Sequence, residues 1–166
     1  MKRIVLFRHG KSDWDAEYGN DHDRPLQGRG KKAAKLMGRF LRQSGPLPDA
    51  VVSSSAKRAH RTAELANRDG EWGVEIQVTG NLYGASPREL VAVLSELSAE
   101  VETVVAVGHE PGWSSAVEYF TGARVQMPTA AMACVAVGIS SWADLAAGTG
   151  ELEWLVTPRT VEGSVG

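Results

Sequence analysis

The feature that most constrains this chain is a short apolar run that ends in strongly polar residues. Ile4-Val5-Leu6-Phe7 is followed at once by Arg8-His9-Gly10. Four apolar residues in a row, closed by a glycine shortly afterwards, are typical of a buried strand. The run Val104-Val105-Ala106-Val107 leads into Gly108-His109 in the same way. In open α/β sheets the ligand crevice lies beyond the carboxyl ends of the strands, so these two loops are predicted to form one site.

Apolar runs of this kind recur along the chain, and segments with helical periodicity separate the first four of them. The predicted strands are residues 3–7, 50–53, 74–78, 103–107, 131–139 and 151–156, and the predicted helices are residues 29–43, 57–68, 87–98 and 112–120. Strands that alternate with helices over short connections indicate a mostly parallel sheet covered on both faces. The last two strands have no long helix between them and are expected to pair as an antiparallel edge. The predicted fold class is therefore α/β, a three-layer α/β/α sandwich.

Local signals mark the ends of two helices. Ser86, Pro87 and Glu89 combine a capping box with proline at the first helical position, so a helix is expected to begin there. Gly122 is expected to end the helix at 112–120. Residues 160–166, at the chain terminus, are predicted to be a flexible tail.

Length and composition indicate an ordinary globular protein. With 166 residues, 43% hydrophobic and 23% charged, the chain is expected to form a single domain over residues 1–166. The formal net charge of −2 gives no basis for binding nucleic acid or a membrane through bulk electrostatics, so any affinity for anions must come from a local cluster of cations. Cys134 is the single cysteine, which excludes an internal disulfide, and its apolar neighbours predict burial. The apolar stretch that ends before Arg8 is too short for a secretory segment, no stretch reaches the length of a membrane span, and a cytoplasmic location is expected.

Residues that suit phosphate binding follow three of the predicted strands. They are Arg8, His9, Lys11 and Ser12 after the first strand, Arg58 and Arg61 after the second, and Gly108 and His109 after the fourth. Two helix N-termini are expected at the same edge, where free N–H groups and the helix dipole favour an anion. Arginine adds a planar fork that matches phosphate oxygens. The pattern predicts a phosphate-binding pocket.

Histidine in such a pocket indicates chemistry as well as binding. A neutral imidazole can attack phosphorus and form a covalent phosphohistidine, while surrounding cations stabilise the transferred group. Neither a metal nor another cofactor is expected. A metal site made of both histidines with Glu110 or Asp13 is the less favoured alternative, because the nearby arginines oppose a divalent cation and no His-x-x-x-His pair is present. The alternative interpretation without catalytic function is that the histidines pack in the core and the arginines form salt bridges.

Several short motifs resemble the histidine phosphatase superfamily, which also contains the phosphoglycerate mutases. The superfamily pattern is matched by Arg8-His9-Gly10-Lys11-Ser12, Ser54-Ser55-Ala56-Lys57-Arg58-Ala59 and Gly108-His109. The small SixA-type branch is matched by Asp23-Arg24-Pro25-Leu26, Arg29-Gly30 and Leu82-Tyr83-Gly84-Ala85-Ser86-Pro87. The resemblance spans residues 3 to about 120, and the joint order and spacing of the motifs makes it specific.

The resemblance implies a phosphoglycerate mutase-like fold without the helical cap domain of larger relatives. It also implies that His9 is the phosphorylated nucleophile and that Arg8, Arg58 and His109 complete the phosphate pocket. The further candidates for substrate binding are Lys11, Ser12, Arg61 and Gly108. The implied activity is metal-independent hydrolysis of phosphohistidine on a partner protein, or of a small phosphate monoester.

Three positions depart from the patterns of these relatives. Gly80 stands where the mutase-like branch carries a glutamate proton donor, and Asp15 stands where mutases usually carry asparagine, so mutase activity is disfavoured. Glu110 replaces the aspartate that acid-phosphatase relatives place after the second histidine, which makes it a candidate general acid. A non-catalytic module that binds phosphate or a phosphoprotein is the alternative from another functional class. The basic face of the helix at 29–43 is a further candidate surface for an acidic protein partner.

Overall fold

A six-stranded sheet forms the centre of the molecule, and the computed structural model describes residues 1–165 of the chain. The strands are β1 (Lys2–Arg8), β2 (Ala50–Ser54), β3 (Ile76–Thr79), β4 (Thr103–Gly108), β5 (Met132–Val137) and β6 (Gly150–Val156). They lie in the order β3-β2-β4-β1-β5-β6. Strands β3, β2, β4 and β1 pair in parallel, and β5 is antiparallel to both of its neighbours. The predicted mostly parallel sheet with an antiparallel edge is confirmed.

Helices cover both faces of this sheet. They are α1 (Gly28–Ser44), α2 (Lys57–Asp69), α3 (Pro87–Leu94), α4 (Gly112–Thr121) and α5 (Pro158–Val165), with short 3-10 helices at Asp21–Asp23, Gly80–Leu82 and Trp142–Asp144. Because side chains alternate along a strand, Val5 and Phe7 pack with α1 and α2, whereas Ile4 and Leu6 pack with α3 and α4. The three-layer sandwich is therefore confirmed, and residues 1–165 build no separate cap domain. Among them, no helix combines the length and the apolar character needed to cross a membrane.

Two helix ends follow the local signals, and one does not. The Ser86 hydroxyl accepts a hydrogen bond from the Glu89 amide at 3.2 Å, and the Glu89 carboxylate accepts one from the Ser86 amide at 3.0 Å, which confirms the capping box. Gly122 ends α4 in the left-handed conformation, with φ of 80°. Helix α3 ends at Leu94 rather than at residue 98, because the amides of Glu96 and Leu97 bond to carbonyls three residues back and turn the chain towards β4.

The end of the chain departs from the flexible tail predicted at 160–166. Residues 158–165 form α5, and the Thr157 hydroxyl caps this helix by accepting a hydrogen bond from the Thr160 amide at 3.2 Å. Val161 is 5% exposed and packs into the core on the α1 side of the sheet. Burial of a valine side chain contributes about 1.5–3 kcal/mol, which favours the ordered helix. Gly166 lies outside the described residues.

Candidate functional site

A pocket of about 540 Å³ opens at the carboxyl ends of β1, β2 and β4, the edge of the sheet at which the sequence predicts a site. This volume suits a small ligand or the end of a larger one. Histidine and arginine side chains dominate its lining, which consists of Arg8, His9, Lys11, Ser12, Trp14, Asp21, Arg24, Arg58, Tyr83, Gly84, His109, Glu110 and Thr129.

Parallel pairing of β1 with β4 brings the two histidines together. Arg8 lies opposite Gly108 in the register, and the His9 amide donates to the Gly108 carbonyl at 3.0 Å. Each strand then ends in its histidine, and the ring centroids of His9 and His109 lie 5.2 Å apart. The predicted convergence of these two loops is observed.

The loop that carries His9 is held by close backbone contacts. The Gly10 amide donates to the Thr62 hydroxyl at 3.0 Å, and that hydroxyl donates to the Arg58 carbonyl at 2.7 Å, which ties the loop to α2. On the other side, a Cβ atom at Gly10 would lie 2.6 Å from the Gly30 carbonyl oxygen, and one at Gly30 would lie 2.2 Å from the Lys11 carbonyl oxygen. Glycine is required at both positions because the loop and the start of α1 are in backbone contact.

The hydrogen bonding of His9 leaves one ring nitrogen free. The Nδ1 atom lies 2.6 Å from the Gly10 carbonyl oxygen. Since a carbonyl only accepts, Nδ1 carries the proton and Nε2 keeps its lone pair. Burial lowers the pKa of His9 to about 3; the hydrogen bond to Gly10 opposes this shift, and His109, Arg58 and Arg8 add to it. His9 is therefore a neutral imidazole with an available nucleophilic nitrogen at neutral pH.

His109 is also held as a neutral ring. Its Nε2 atom lies 2.8 Å from the Ser54 hydroxyl, which itself accepts from the Ala56 amide at 3.2 Å. Its Nδ1 atom is buried and has no hydrogen-bond partner. Burial, followed by the positive charge of Arg58, lowers the pKa of His109 to about 4.

These two lowered pKa values make folding stability depend on pH. The ordinary pKa of histidine is 6.5, against about 3 for His9 and about 4 for His109 in the folded chain. At a pH between the folded and the ordinary pKa, the unfolded chain binds more protons than the folded chain. The stabilisation that the two histidines contribute is therefore fully present above pH 6.5 and is lost as the pH falls. We expect the free energy of unfolding to decrease by about 1–2 kcal/mol per histidine from about pH 7 to about pH 5, as measured by urea denaturation. A His9→Asn/His109→Asn variant loses this part of the pH dependence, and an unchanged slope in that variant contradicts the assignment.

Arg8, which is half-buried on β1, and Arg58, which is buried on α2, extend into the pocket. Arg8 donates through Nη1 to the Met127 carbonyl at 2.9 Å, and burial lowers its pKa. Arg58 donates through Nη1 to the Asp21 carbonyl at 2.7 Å and through Nη2 to the Asp21 carboxylate at 3.0 Å. The Nε atoms of both arginines are buried without a partner. Each guanidinium is thus anchored by its outer nitrogens while Nε is left unused by the protein.

Asp21 is the central anion of the pocket, and the sequence analysis does not identify it. Its carboxylate accepts hydrogen bonds from the Tyr83 hydroxyl at 2.5 Å, from Arg58, and from Arg24. These contacts, the Tyr83 hydrogen bond first, hold the pKa of Asp21 well below its ordinary value and raise the pKa of Tyr83. Its partners at positions 58 and 83 are distant in sequence, so no local pattern could reveal the cluster.

The other lining residues absent from the sequence-based candidates are Trp14, Arg24, Tyr83, Gly84 and Thr129. Arg24 donates through Nε to the Ser12 hydroxyl at 2.9 Å and lies 3.6 Å over the Trp14 ring, a cation–π contact. The signal for Arg24 and Tyr83 is present in the motifs at 23–26 and 82–87, which carry the family resemblance. Thr129 has no such signal.

Most predicted site residues reach the pocket, but two do not. His9, His109, Arg8, Arg58 and Glu110 line it, as do Lys11 and Ser12. Arg61 does not line it and instead lies 3.8 Å from Glu64 in an ion pair on α2. Gly108 is buried against Trp113, where an added Cβ would lie 2.4 Å from the ring. Gly108 admits that tryptophan beneath β4 and accepts the His9 amide through its carbonyl, but neither Gly108 nor Arg61 lines the pocket.

Glu110 reaches the pocket wall with its carboxylate already engaged. One oxygen accepts from the Ser114 amide at 2.7 Å and the other from the Ser114 hydroxyl at 2.5 Å. The carboxylate therefore satisfies a free amide at the start of α4 and stabilises the helix dipole there. Within residues 1–165, no group of three or more His, Cys, Asp or Glu side chains is arranged to hold a metal ion.

Comparison with known proteins agrees with this geometry. Residues 4–86 match the model of the histidine phosphatase superfamily, branch 1. An uncharacterized protein of Mycobacterium tuberculosis is 32% identical over 92% of this chain and 99% of its own length. The chain belongs to the histidine phosphatase superfamily.

Solved structures refine this membership to one branch. A SixA protein from Nakamurella multipartitia superposes with a TM-score of 0.84 at 27% identity and covers 95% of this chain and 96% of its own. The protein histidine phosphatase SixA complexed with tungstate gives a TM-score of 0.83 at 24% identity, with coverage of 96% and 99%. Within the superfamily the chain is of the SixA type.

Proposed function

We propose that this chain is a metal-independent phosphatase that removes the phosphoryl group from phosphohistidine on a partner protein in the cytoplasm. The reaction passes through a covalent phosphohistidine on His9, and Arg8, Arg58 and His109 hold the transferred group. Membership of the histidine phosphatase superfamily supports the reaction class. The Nakamurella relative, assigned as a phosphohistidine phosphatase, supports the substrate class.

The proposal depends above all on three buried nitrogen atoms. Among the buried side-chain nitrogen and oxygen atoms of residues 1–165, those without a hydrogen-bond partner are Arg8 Nε, Arg58 Nε and His109 Nδ1. All three residues line the pocket that also contains His9. Unpartnered buried polar groups are rare and costly, so their concentration in one place calls for a ligand. A tetrahedral oxyanion bonded to His9 would lie beside these three residues, whose N–H groups and positive charges suit it.

The chemistry is a double displacement. His9 Nε2 attacks phosphorus, and the new P–N bond forms as the bond to the leaving nitrogen breaks. The leaving ring, whose other nitrogen carries a proton, departs as a neutral imidazole. Water then attacks the same phosphorus, the bond to His9 breaks, and phosphate departs from a neutral imidazole. In both steps the arginines offset the negative charge on the equatorial oxygens, which lowers each barrier.

The engagement of Glu110 favours phosphohistidine over phosphate esters as the substrate. Both carboxylate oxygens of Glu110 are bonded to Ser114, and Gly80 supplies no acid where mutase-like relatives have one. An alkoxide leaving group depends on a general acid, which contributes about 10²–10⁴-fold to the rate. The imidazole leaving group of a labile phosphoramidate needs little such help. Glu110 remains the candidate acid for small phosphate monoesters.

A matched pair of peptides tests the proposal. Two peptides of one sequence carry phosphohistidine or phosphoserine at the same position, and phosphate release is followed with a metal chelator present. We expect kcat/KM for the phosphohistidine peptide to exceed that for the phosphoserine peptide by at least about 100-fold, because only the ester requires an acid. The Glu110→Gln variant should hydrolyse the phosphohistidine peptide at the wild-type rate.

The other outcomes separate the alternatives. Comparable rates on both peptides, with the phosphoserine rate lost in Glu110→Gln, would identify a phosphomonoesterase that uses Glu110 as its acid. Binding of inorganic phosphate without turnover of either peptide would identify the non-catalytic recognition module. Activity that the chelator removes would contradict the metal-independent mechanism.

A further inference from the structure

A second groove continues from the catalytic pocket along the face formed by α1 and α5. Its volume is about 700 Å³, and it shares Lys11 and Thr129 with the catalytic pocket. A ligand whose phosphoryl group contacts His9 can therefore extend into this groove without leaving the protein surface. The groove is part of no step in the mechanism above.

The groove is strongly cationic. Its charged lining residues are Lys11, Arg29, Lys32, Arg159 and a single carboxylate, Glu162. The four cations are exposed, and among residues 1–165 none of them forms an ion pair or a side-chain hydrogen bond. Further along α1, Arg39 pairs with Asp69 and Arg42 donates to the Glu71 carbonyl, whereas Lys31 and Lys35 make no ion pair among residues 1–165. The whole chain carries a net charge of −2, so the positive charge here is a local feature.

The position of these cations works against the stability of α1. Arg29 and Lys32 lie at the start of the helix, where the positive end of the helix dipole disfavours cations. The first turn contains no acidic residue, and Gln27 makes no side-chain cap. A bound carboxylate would offset both the guanidinium charge and the free amides of this helix end. An unfavourable local arrangement without internal compensation indicates a binding role.

We propose that this groove docks an acidic segment of the protein substrate, so that carboxylates flanking the phosphohistidine contact Arg29, Lys32 and Arg159 while the phosphoryl group lies at His9. The placement of the phosphoryl group at His9 rests on the proposed function, whereas the binding of carboxylates in the groove rests on the charges of the groove alone. Because the groove joins the catalytic pocket at Lys11, residues that flank the phosphohistidine in a polypeptide would lie in the groove. Nucleic acid is the less suitable polyanion, because the rest of the chain would repel it.

Binding of an unphosphorylated peptide tests the groove separately from catalysis. A fluorescent glutamate-rich peptide is titrated at low salt with inorganic phosphate saturating the catalytic pocket. The Arg29→Glu/Lys32→Glu variant should bind it at least about tenfold more weakly than the wild type. The control is Lys31→Glu/Arg42→Glu, which makes the same charge change on α1 outside the groove and should alter affinity by less than about twofold. If the charge reversal impairs folding, the neutral Arg29→Gln/Lys32→Gln variant replaces it in the same titration.

The outcomes are distinct. If the wild type does not bind the peptide, or if both charge-reversed variants lose the same affinity, the proposal that the groove binds an acidic segment is contradicted. Tighter binding of an oligonucleotide of equal charge overturns the assignment to acidic protein. Hydrolysis of an aryl phosphate should be unchanged in every variant, because none of the altered residues lines the catalytic pocket.

A second measurement links the groove to the substrate. Phosphohistidine peptides flanked by glutamate or by glutamine are compared, and the wild type should prefer the glutamate peptide by about tenfold in kcat/KM at low salt. The Arg29→Glu/Lys32→Glu variant should lose the preference and the control should keep it. If the acidic peptide binds in the groove but neither phosphohistidine peptide is hydrolysed, the proposed substrate is wrong while the groove remains a docking site for acidic protein.

Discussion

Replacement of His9 by alanine is expected to reduce turnover of an aryl phosphate by at least about 10³-fold, the scale seen when a nucleophile is removed. The reason is that Nε2 of His9 is the atom that bonds to phosphorus, and no other pocket residue offers a neutral imidazole with a free lone pair in that position. Steady-state kinetics with an activated leaving group measures this loss independently of any general acid. His60→Ala is the matched control, since His60 lies on α2 and does not line the pocket, and its activity should stay within about twofold of wild type.

The same variant provides a covalent test. Wild-type protein quenched in alkali during turnover should carry one phosphoryl group, which mass spectrometry places on His9, and His9→Ala should carry none. Phosphate found on another residue, or His9→Ala activity above about a tenth of wild type, would contradict nucleophilic catalysis by His9.

Replacement of Arg58 by alanine is expected to reduce kcat/KM by about 10²–10³-fold, the usual effect of losing one preorganised donor to a developing oxyanion. Arg58 contributes a buried charge that lowers the pKa of both His9 and His109, and its Nε atom has no partner among residues 1–165. Arg58→Lys should recover only part of the activity, because lysine keeps the charge but loses the planar fork. Inhibition by inorganic phosphate should weaken in parallel with kcat/KM.

Arg61→Ala is the control for this experiment. Arg61 lies three residues further along α2 and pairs with Glu64 at the surface, so its activity should remain within about twofold of wild type. Thermal unfolding of both variants separates a loss of catalysis from a loss of the Asp21 cluster that Arg58 also holds. A loss in Arg61→Ala comparable to that in Arg58→Ala would restore the sequence-based assignment of Arg61 to substrate binding.

The contrast between Arg58 and Arg61 shows where local pattern stops being informative. Both follow the same strand and both are basic, so position and charge do not separate them, and only the motif Ser54–Ala59 singles out Arg58. Residues three apart on a helix point in directions about 60° from each other. Which of them faces the pocket depends on how α2 packs against the sheet, and that packing involves Thr62 and the loop after β1.

Asp21 and Glu110 show the same limit for charged groups. Asp21 binds partners 37 and 62 residues away, and these contacts exist only once β1, α2 and the segment before α3 are assembled. Glu110 follows His109 directly, as an acid catalyst could, yet its oxygens are bonded to Ser114 at the start of α4. Neither arrangement has a period or a motif that could be recognised before folding.

Short-range patterns are sufficient to predict the sheet, its layers, and the emergence of His9 and His109 at one edge. An apolar run becomes a buried strand, and a polar residue directly after it emerges at the carboxyl end. Long-range packing sets the ordering of α5 through Val161, the position of Arg61 outside the pocket, the hydrogen bonding of Glu110 to Ser114 and the Asp21 cluster. Each of these depends on contacts between segments distant in the chain, whose energies are set by the packed geometry rather than by neighbouring residues.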